Sequence, residues 1–227
     1  MDDFRLIGTG IYTIPEASRL TAVPVRSIRR WIKGYSYTRD GQTHKLPPVV
    51  APQIDPIDGV FALSFRDLQE IRFLHAFREL GVSWHVLRLA SRYAKDIVGS
   101  DHPFSTGRFR SFGNSIMTAI AIKTREQLLI DIVKNQLAFK RLIAPFLRGL
   151  EFDHGEPVRW FPTASRRIVV DPHRSFGQPV LQKEGVPTLI LAKAYSTERS
   201  INKVAQWYDV DPRSVKAAVD FERRLAA

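Results

Sequence analysis

Four basic residues recur at helical spacing near the N-terminus, and they carry the clearest chemical signal in the chain. Arg26, Arg29, Arg30 and Lys33 follow i, i+3, i+4, i+7 spacing, which brings four cations to one face of a helix. A guanidinium pairs with both major-groove acceptors of guanine, and Arg and Lys also hold phosphates. Arg26 and Ser27 come early enough in such a helix to reach base edges. The remaining three suit phosphates at least as well. The alternative interpretation is that the four cations form an ordinary solvated face of an amphipathic helix and do not bind DNA.

A helix-turn-helix over residues 13–33 is predicted to position these cations. Thr13 and Glu16 form a capping-box pattern that begins one short helix. A tight connection at 21–23 follows, and Pro24 suits the first turn of the second helix. That helix has an apolar side made of Val25, Ile28, Trp31 and Ile32. In this motif the second helix enters the major groove, so we expect sequence-specific binding of double-stranded DNA.

The composition narrows the class of protein. The formal net charge of +11 over 227 residues favours a polyanionic partner. There is no cysteine, which excludes disulfides, thiolate metal sites and a cysteine nucleophile and agrees with a reducing compartment. No stretch reaches the roughly 20 apolar residues of a membrane span, and residues 1–5 do not resemble a secretory signal. We therefore expect a cytoplasmic protein with no membrane partner.

Catalytic patterns are missing from the sequence. No nucleophile elbow, phosphate-binding glycine loop or dinucleotide fingerprint occurs. The histidines have no spacing typical of metal ligands; they are His44, His75, His85, His102, His154 and His173. The sequence therefore predicts a protein that is not an enzyme and that needs no metal or cofactor.

Residues 34–63 are predicted to form turns and short strands. The Asp-Gly pairs at 40–41 and 58–59 are typical of hairpin turns. Residues 60–63 are expected to form the return strand of a wing. On this wing, Arg39 and Lys45 are further candidate contacts to DNA.

The middle of the chain is predicted to alternate between helix and irregular structure. Ser64 and Ser83 are expected to cap two helices. Residues 99–115 are interpreted as loop with short strands, and residues 115–122 as a strand. A long helix is expected over residues 124–148.

The C-terminal tail is predicted to be a compact helical module. Asp211 and Pro212 mark the start of its last helix. Two short helices joined by a brief turn again have the outline of a helix-turn-helix. Arg213, Ser214 and Lys216 would form a second surface, for which DNA contact and protein contact remain equally open.

These observations predict a mainly α fold with small β elements. We expect a winged helix-turn-helix domain over residues 1–98 and a connecting α/β segment over 99–160 that contains the long helix. A helical, helix-turn-helix-like domain with a short sheet is expected over 161–227.

The N-terminal part resembles the winged helix-turn-helix of MerR-type regulators. The resemblance rests on residues 12–17, on residues 27–31, and on the stretches 63–68 and 77–83, where those regulators place a second helix pair. The long insertion between Lys33 and Leu63 departs from the compact wing of that family.

The tail resembles the domain-of-unknown-function 433 module of VapB-type antitoxins. The matching stretches are 167–172, 176–180, 185–188, 204–210 and 215–221. Together with the segments 102–104 and 157–162, the order of the two modules is similar to that of long VapB-like antitoxins. The resemblance implies the antitoxin of a type II toxin–antitoxin system. It would neutralise a PIN-like ribonuclease toxin and, as a homodimer, repress its own operon.

Other functions stay open at the level of sequence. Because the chain ends almost at its last helix, toxin binding is expected on folded surface or on a loop such as 99–113. A ligand-sensing MerR-like regulator would enclose an effector within residues 99–165. Candidate pocket aromatics, which core packing also explains, are Trp84, Phe104, Phe109, Phe112, Trp160 and Phe161. A third option is an interaction module without DNA function.

Overall fold

The computed structural model describes residues 6–135 and 144–226, and it describes Arg39 by its backbone alone. The chain divides into two compact units. The N-terminal unit comprises Tyr12–Arg148 and Phe152–Pro157, and the C-terminal unit comprises Met1–Ile11, Gly149–Glu151 and Val158–Ala227.

The N-terminal unit is a series of helices with two small antiparallel sheets. Its elements are β1 (Tyr12–Thr13), α1 (Ile14–Thr21), α2 (Val25–Lys33), β2 (Tyr35–Arg39), β3 (Gln42–Leu46), β4 (Ala62–Leu63), α3 (Phe65–Glu79), α4 (Trp84–Val98), α5 (Gly107–Thr124) and α6 (Gln127–Lys134). The strands pair as β1 with β4 and β2 with β3.

The return strand of the wing differs from the prediction. The hairpin β2–β3, called the wing hairpin below, pairs Tyr35 with Leu46 and Arg39 with Gln42. Residues 60–63 do not pair with it, because β4 aligns with β1, Leu63 opposite Tyr12. Leu63 and Tyr12 are fully buried there, so burial of these two side chains fixes the pairing.

The helices α3 and α4 begin where the sequence predicts. Ser64 accepts a hydrogen bond from the backbone amide of Asp67, and the Asp67 carboxylate accepts one from the Ser64 amide, which completes a capping box. Ser83 caps α4 through the amide of Val86. Gly99 ends α4 in the left-handed conformation, with φ of 74°.

The helix α5 overturns two predictions. Residues 107–115 are not loop with short strands, and residues 115–122 are not a strand, because α5 runs through Gly107–Thr124; residues 99–106 are irregular apart from a short 3-10 helix at Pro103–Ser105. Its β-branched residues had favoured a strand. The buried positions nevertheless recur at helical spacing, and burial of this stripe outweighs the local preference; they are Phe109, Gly113, Ile116, Met117, Ile120 and Ala121.

The long helix predicted over residues 124–148 is not continuous. Arg125 ends α5 in the left-handed conformation, and α6 begins at Gln127 and ends at Lys134. Asn135 has non-helical angles, φ −88° and ψ 85°. The rest of the predicted helix falls partly on residues 136–143, outside the described residues.

The C-terminal unit combines a small sheet with three helices. The strands β5 (Leu150–Asp153), β6 (Glu156–Trp160), β7 (Ile168–Val170) and β8 (Pro179–Leu181) are ordered β5-β6-β7-β8. The tip of the β5–β6 hairpin is counted with the N-terminal unit. The helices are α7 (Thr188–Glu198), α8 (Ile201–Tyr208) and α9 (Pro212–Ala226). Their core contains Leu181, Leu191, Val204, Val215 and Ala218, all fully buried. The fold is mainly helical with small sheets, as predicted.

Candidate nucleic-acid interface

The two short helices predicted within residues 13–33 form with a brief turn between them, and the first begins at its predicted cap. The Thr13 hydroxyl accepts a hydrogen bond from the Glu16 amide at 3.3 Å, and the Glu16 carboxylate accepts one from the Thr13 amide at 2.8 Å. Ala22 ends α1 in the left-handed conformation, with φ of 58°. Val23 in the turn is fully buried. The capping box therefore fixes the start of α1, and the buried Val23 side chain fixes the turn that follows it.

The second helix separates an apolar side from a cationic side. Ile28, Trp31 and Ile32 are buried, each at 2% exposure or less. The opposite side is exposed, as the spacing predicts, and it presents Arg26, Arg29, Arg30 and Lys33. The helix contains no acidic residue. Four cations on one exposed face, without a carboxylate in the same helix, form a strongly positive surface.

The four cations differ in how firmly they are held. The Arg30 guanidinium lies 5.2 Å from the centroid of the Tyr35 ring, and the Lys33 ammonium lies 4.6 Å from that of Phe61. Within the described part of the chain, no ring contact, ion pair or hydrogen bond of the Arg26 or Arg29 side chain occurs. Cation–π contact orients Arg30 and Lys33, whereas Arg26 and Arg29 are free to reach a ligand.

The wing hairpin stands directly after this helix. Asp40 and Gly41 both have positive φ, 52° and 74°, which is the backbone of a two-residue hairpin turn. Lys45 is exposed on β3. Arg39 ends β2 beside the turn, and its side chain lies outside the described residues. Both predicted cations thus belong to the hairpin: Arg39 adjoins its turn, whereas Lys45, opposite Ser36, lies near its base.

A hydrogen-bonded segment fixes the base of the wing to α2. The backbone amides of Val49 and Val50 donate to the Trp31 carbonyl oxygen, at 2.8 and 3.1 Å. Gly34, between α2 and β2, has φ 69° and ψ −173°, a conformation that only glycine adopts readily. A Cβ atom on Gly34 would lie 2.2 Å from the Leu46 carbonyl oxygen. The wing and the cationic helix are therefore closely connected.

The C-terminal surface is assembled only in part. Arg213 and Lys216 are exposed on α9. Ser214 is buried, and its hydroxyl accepts a hydrogen bond from the Arg167 guanidinium at 3.3 Å. The Asp211 carboxylate accepts the Arg213 amide at 2.7 Å, as expected for a residue that caps α9. The structure thus presents two of the three predicted contacts to solvent.

Most of the aromatic residues considered for an effector pocket are packed in cores. Phe104 stacks on Phe73 with 4.8 Å between ring centroids, and Phe109 meets both rings edge-on. Trp84 lies 4.8 Å from the Trp31 ring. Trp160 and Phe161 are also buried. Phe112 differs, because its side chain is 62% exposed on α5.

Asp67, Glu70 and His102 form a buried polar cluster that the sequence did not predict. His102 Nε2 lies 2.6 Å from Asp67 Oδ1, and the Glu70 carboxyl accepts the Phe104 and Ser105 amides. Burial raises the pKa of Glu70 to about 8, against the lowering effect of His102 and of these two amides. The pKa of His102 is also raised, since the nearby Asp67 and Glu70 carboxyls outweigh the opposing effect of burial. A histidine followed by Pro103 in a polar loop was the only sequence signal.

The cluster holds part of the segment 99–113 against α3. His102, Phe104 and Ser105 are each 5% exposed or less. This segment is attached to α3 through the Asp67 and Glu70 carboxyls, and toxin binding at residues 99–113 stays a prediction. The region from Gly107 onward belongs to α5.

The described residues lack both a cluster of metal ligands and a membrane-spanning helix. Among residues 6–135 and 144–226, no group of three or more His, Asp or Glu side chains is arranged to hold a metal ion. The same described residues contain no helix with the length and apolar character required to cross a bilayer.

Comparison with known proteins finds relatives at low identity. The sequence matches no family model. It is 24% identical over 222 residues to a Mycobacterium tuberculosis protein named "Putative antitoxin VapB45", covering 92% of each chain. The crystal structure of Rv2018 from Mycobacterium tuberculosis has a TM-score of 0.73 at 24% identity, covering 92% of this chain and 96% of that one. The chain therefore has the fold of that structure.

Proposed function

We propose that this protein is the antitoxin of a type II toxin–antitoxin system and represses its own operon by binding operator DNA. The observation that carries the DNA part is α2, whose exposed side holds four cations and no acid. The antitoxin part is supported by the similarity to the protein named as an antitoxin along 92% of both chains. In this proposal the protein acts in the cytoplasm and has no catalytic role.

The interface divides into base reading and phosphate binding. Arg26 and Ser27 lie in the first turn of α2, the part of a recognition helix that meets base edges. Arg30 and Lys33 lie near its end, each beside an aromatic ring, and bind the phosphate backbone. Arg29 joins them, and Lys45 and Arg39 extend the contact along the wing. A homodimer with two-fold symmetry would place two such helices on a palindromic operator.

Two substitutions test this division. Arg26→Ala is expected to weaken operator binding by about 1–3 kcal/mol and to relax the base preference at one position of each half-site. Lys33→Ala is expected to weaken operator and random DNA alike and to lower the salt dependence by about one phosphate contact. Fluorescence anisotropy against both DNAs over a salt series measures the two effects. Equal, sequence-independent losses from both variants would refute the division.

The toxin partner is a PIN-like ribonuclease in this proposal. Co-expression with the product of a neighbouring nuclease gene should yield a complex that survives chromatography at about 1 M salt, where exposed charges are screened beyond roughly 3 Å. The purified complex should lack the ribonuclease activity of the free toxin. A toxin that remains active and elutes alone would contradict the antitoxin role, and it would leave the DNA contacts of α2 to be judged separately.

A further inference from the structure

A groove of about 390 Å³ lies between α4 and the segment that follows β3. Its volume is in the range of small-molecule sites, roughly 300–1,000 Å³. Apolar side chains form much of its wall, and they include Leu46, Pro48, Val49 and Leu89. We call this feature the α4 groove. Burial of an apolar ligand body against this wall would contribute to the free energy of binding, whereas a purely ionic ligand would bury no apolar surface there.

One row of α4 adds positive charge to the groove. Arg88, Arg92 and Lys95 follow i, i+4, i+7 spacing and all line it. No Asp or Glu of the described residues is among its lining side chains. The Lys95 ammonium is paired with the Asp101 carboxylate at 3.1 Å, whereas the guanidinium groups of Arg88 and Arg92 have no carboxylate partner among residues 6–135 and 144–226.

The side chain of Arg88 also offers an unused donor. Its Nε atom is buried and has no hydrogen-bond partner among the described residues. Leaving a buried donor unpaired is costly, and pairing that involves a charged group is stronger than pairing between neutral ones. A turn of the Arg88 side chain toward the groove would bring this donor to an anionic group bound there.

The groove is built by fixed backbone and not by a loose loop. The Ser91 hydroxyl donates to the Val49 carbonyl oxygen at 3.2 Å. The Val49 amide donates to the Trp31 carbonyl oxygen at 2.8 Å. Val49 therefore connects the groove wall to both α4 and α2, and the site is formed before a ligand arrives.

We propose that the α4 groove binds a small organic anion, a carboxylate or phosphate carried on an apolar body. The planar guanidinium groups of Arg88 and Arg92 hold the anionic head, for which their geometry is suited. The apolar wall holds the body. A DNA backbone phosphate is the competing occupant, but it would make no use of the apolar wall. The proposal is independent of the proposed operator binding.

Calorimetric titration of the full chain with three matched probes tests the proposal. Octanoate carries both features, octylamine carries the same body with a positive charge, and acetate carries the carboxylate alone. Octanoate should bind one per chain, with a dissociation constant in roughly the micromolar to millimolar range expected for a ligand of its size. Octylamine and acetate should show no saturable binding. Saturable binding of octylamine, or none of octanoate, would overturn the proposal.

Arg92→Gln is the variant to test with these probes, because this exposed residue can change without loss of the fold. It should weaken octanoate binding by roughly tenfold or more, the effect of losing a charge-assisted contact. Arg29→Gln is the matched control on α2, and it should leave octanoate binding unchanged. Unaltered octanoate binding by Arg92→Gln would overturn the proposal.

Anisotropy with DNA separates the two occupants of the groove. Without octanoate, Arg92→Gln should bind DNA as the unaltered protein does. The proposal would be overturned by two results together: Arg92→Gln loses DNA affinity, and octanoate does not bind the unaltered protein. The groove would then be a site for a DNA backbone phosphate. Failure of Arg29→Gln to weaken DNA binding counts against operator binding through α2 and leaves the octanoate result intact.

Discussion

Glu70 and His102 are the residues whose chemistry departs most from that of a surface side chain. Both are buried: Glu70 on α3 accepts backbone amides of the segment that joins α4 to α5, and His102 belongs to that segment and contacts Asp67 on α3. Glu70 is protonated at neutral pH, since burial raises its pKa from 4.5 to about 8. Burial opposes the charged form of His102, but the Asp67 and Glu70 carboxyls outweigh it and raise the pKa of His102 above the ordinary 6.5. Both groups therefore bind protons more tightly in the folded state than in the unfolded state.

The sign of these shifts predicts how stability depends on pH. A group whose pKa is raised on folding stabilises the protein fully below its unfolded value and loses that contribution as the pH rises through its folded value. For Glu70 the loss falls between pH 4.5 and about 8; for His102 it lies above 6.5. We expect the free energy of unfolding, measured by urea denaturation, to decline as the pH rises over this window.

Glu70→Gln tests the source of this dependence. The amide has nearly the shape of the protonated carboxyl and still accepts a backbone amide, but it does not titrate. Only one of the two backbone amides keeps its acceptor, so the variant should be the less stable near pH 5, but its free energy of unfolding should rise relative to that of the unaltered protein between pH 5 and pH 9. Glu79→Gln, on the exposed end of α3, is the control and should not alter the slope. An unchanged slope in Glu70→Gln would contradict the assignment.

At the scale of elements, the connection between α2 and the wing depends on one glycine. Gly34→Ala would place its Cβ 2.2 Å from the Leu46 carbonyl oxygen, in a backbone conformation that disfavours any side chain. We expect a loss of about 2 kcal/mol or more in the free energy of unfolding. Gly41→Ala is the matched control, because it also has positive φ but nothing within 4 Å of a Cβ. Equal losses in both variants would exclude the contact with Leu46 as the cause.

The elements that the sequence predicts correctly are those with local chemical signals. Thr13, Ser64 and Ser83 cap helices, and the Asp40-Gly41 turn forms a hairpin. These signals act over a few residues, so they can be interpreted without knowledge of the fold. The cationic face of α2 is of the same kind, because helical spacing alone determines which side chains share a face.

The wrong sequence predictions concern residues whose structure depends on contacts with residues far away in the chain. Residues 115–122 contain β-branched side chains that favour a strand, but burial of one stripe on α5 makes them helical. The segment at 60–63 pairs with β1 because Tyr12 requires burial, and nothing near Leu63 in sequence indicates this partner. The cluster of Asp67, Glu70 and His102 joins residues 35 positions apart. No single sequence pattern records such contacts.

At the scale of the whole molecule, each of the two units has its own core. Thr188, buried in the C-terminal unit, places its hydroxyl against the Glu222 carboxylate. Thr188→Val should destabilise that unit by about 1–3 kcal/mol, because it removes a buried hydrogen-bond partner. Hydrogen exchange should show faster exchange of the Val204 and Ala205 amides and no change in α2, and DNA affinity should persist. Equal acceleration in both units would show that they unfold together.

The helix α2 is proposed to bind a specific operator sequence. The most direct test compares binding to the region upstream of the protein's own gene with binding to a scrambled duplex of equal length, at about 0.15 M salt. Binding to the upstream region should be at least roughly 1,000-fold tighter, the lower end for specific regulators, and Arg26→Ala should reduce this preference by about 5- to 150-fold, the equivalent of about 1–3 kcal/mol. Equal affinity for the two duplexes would contradict the account.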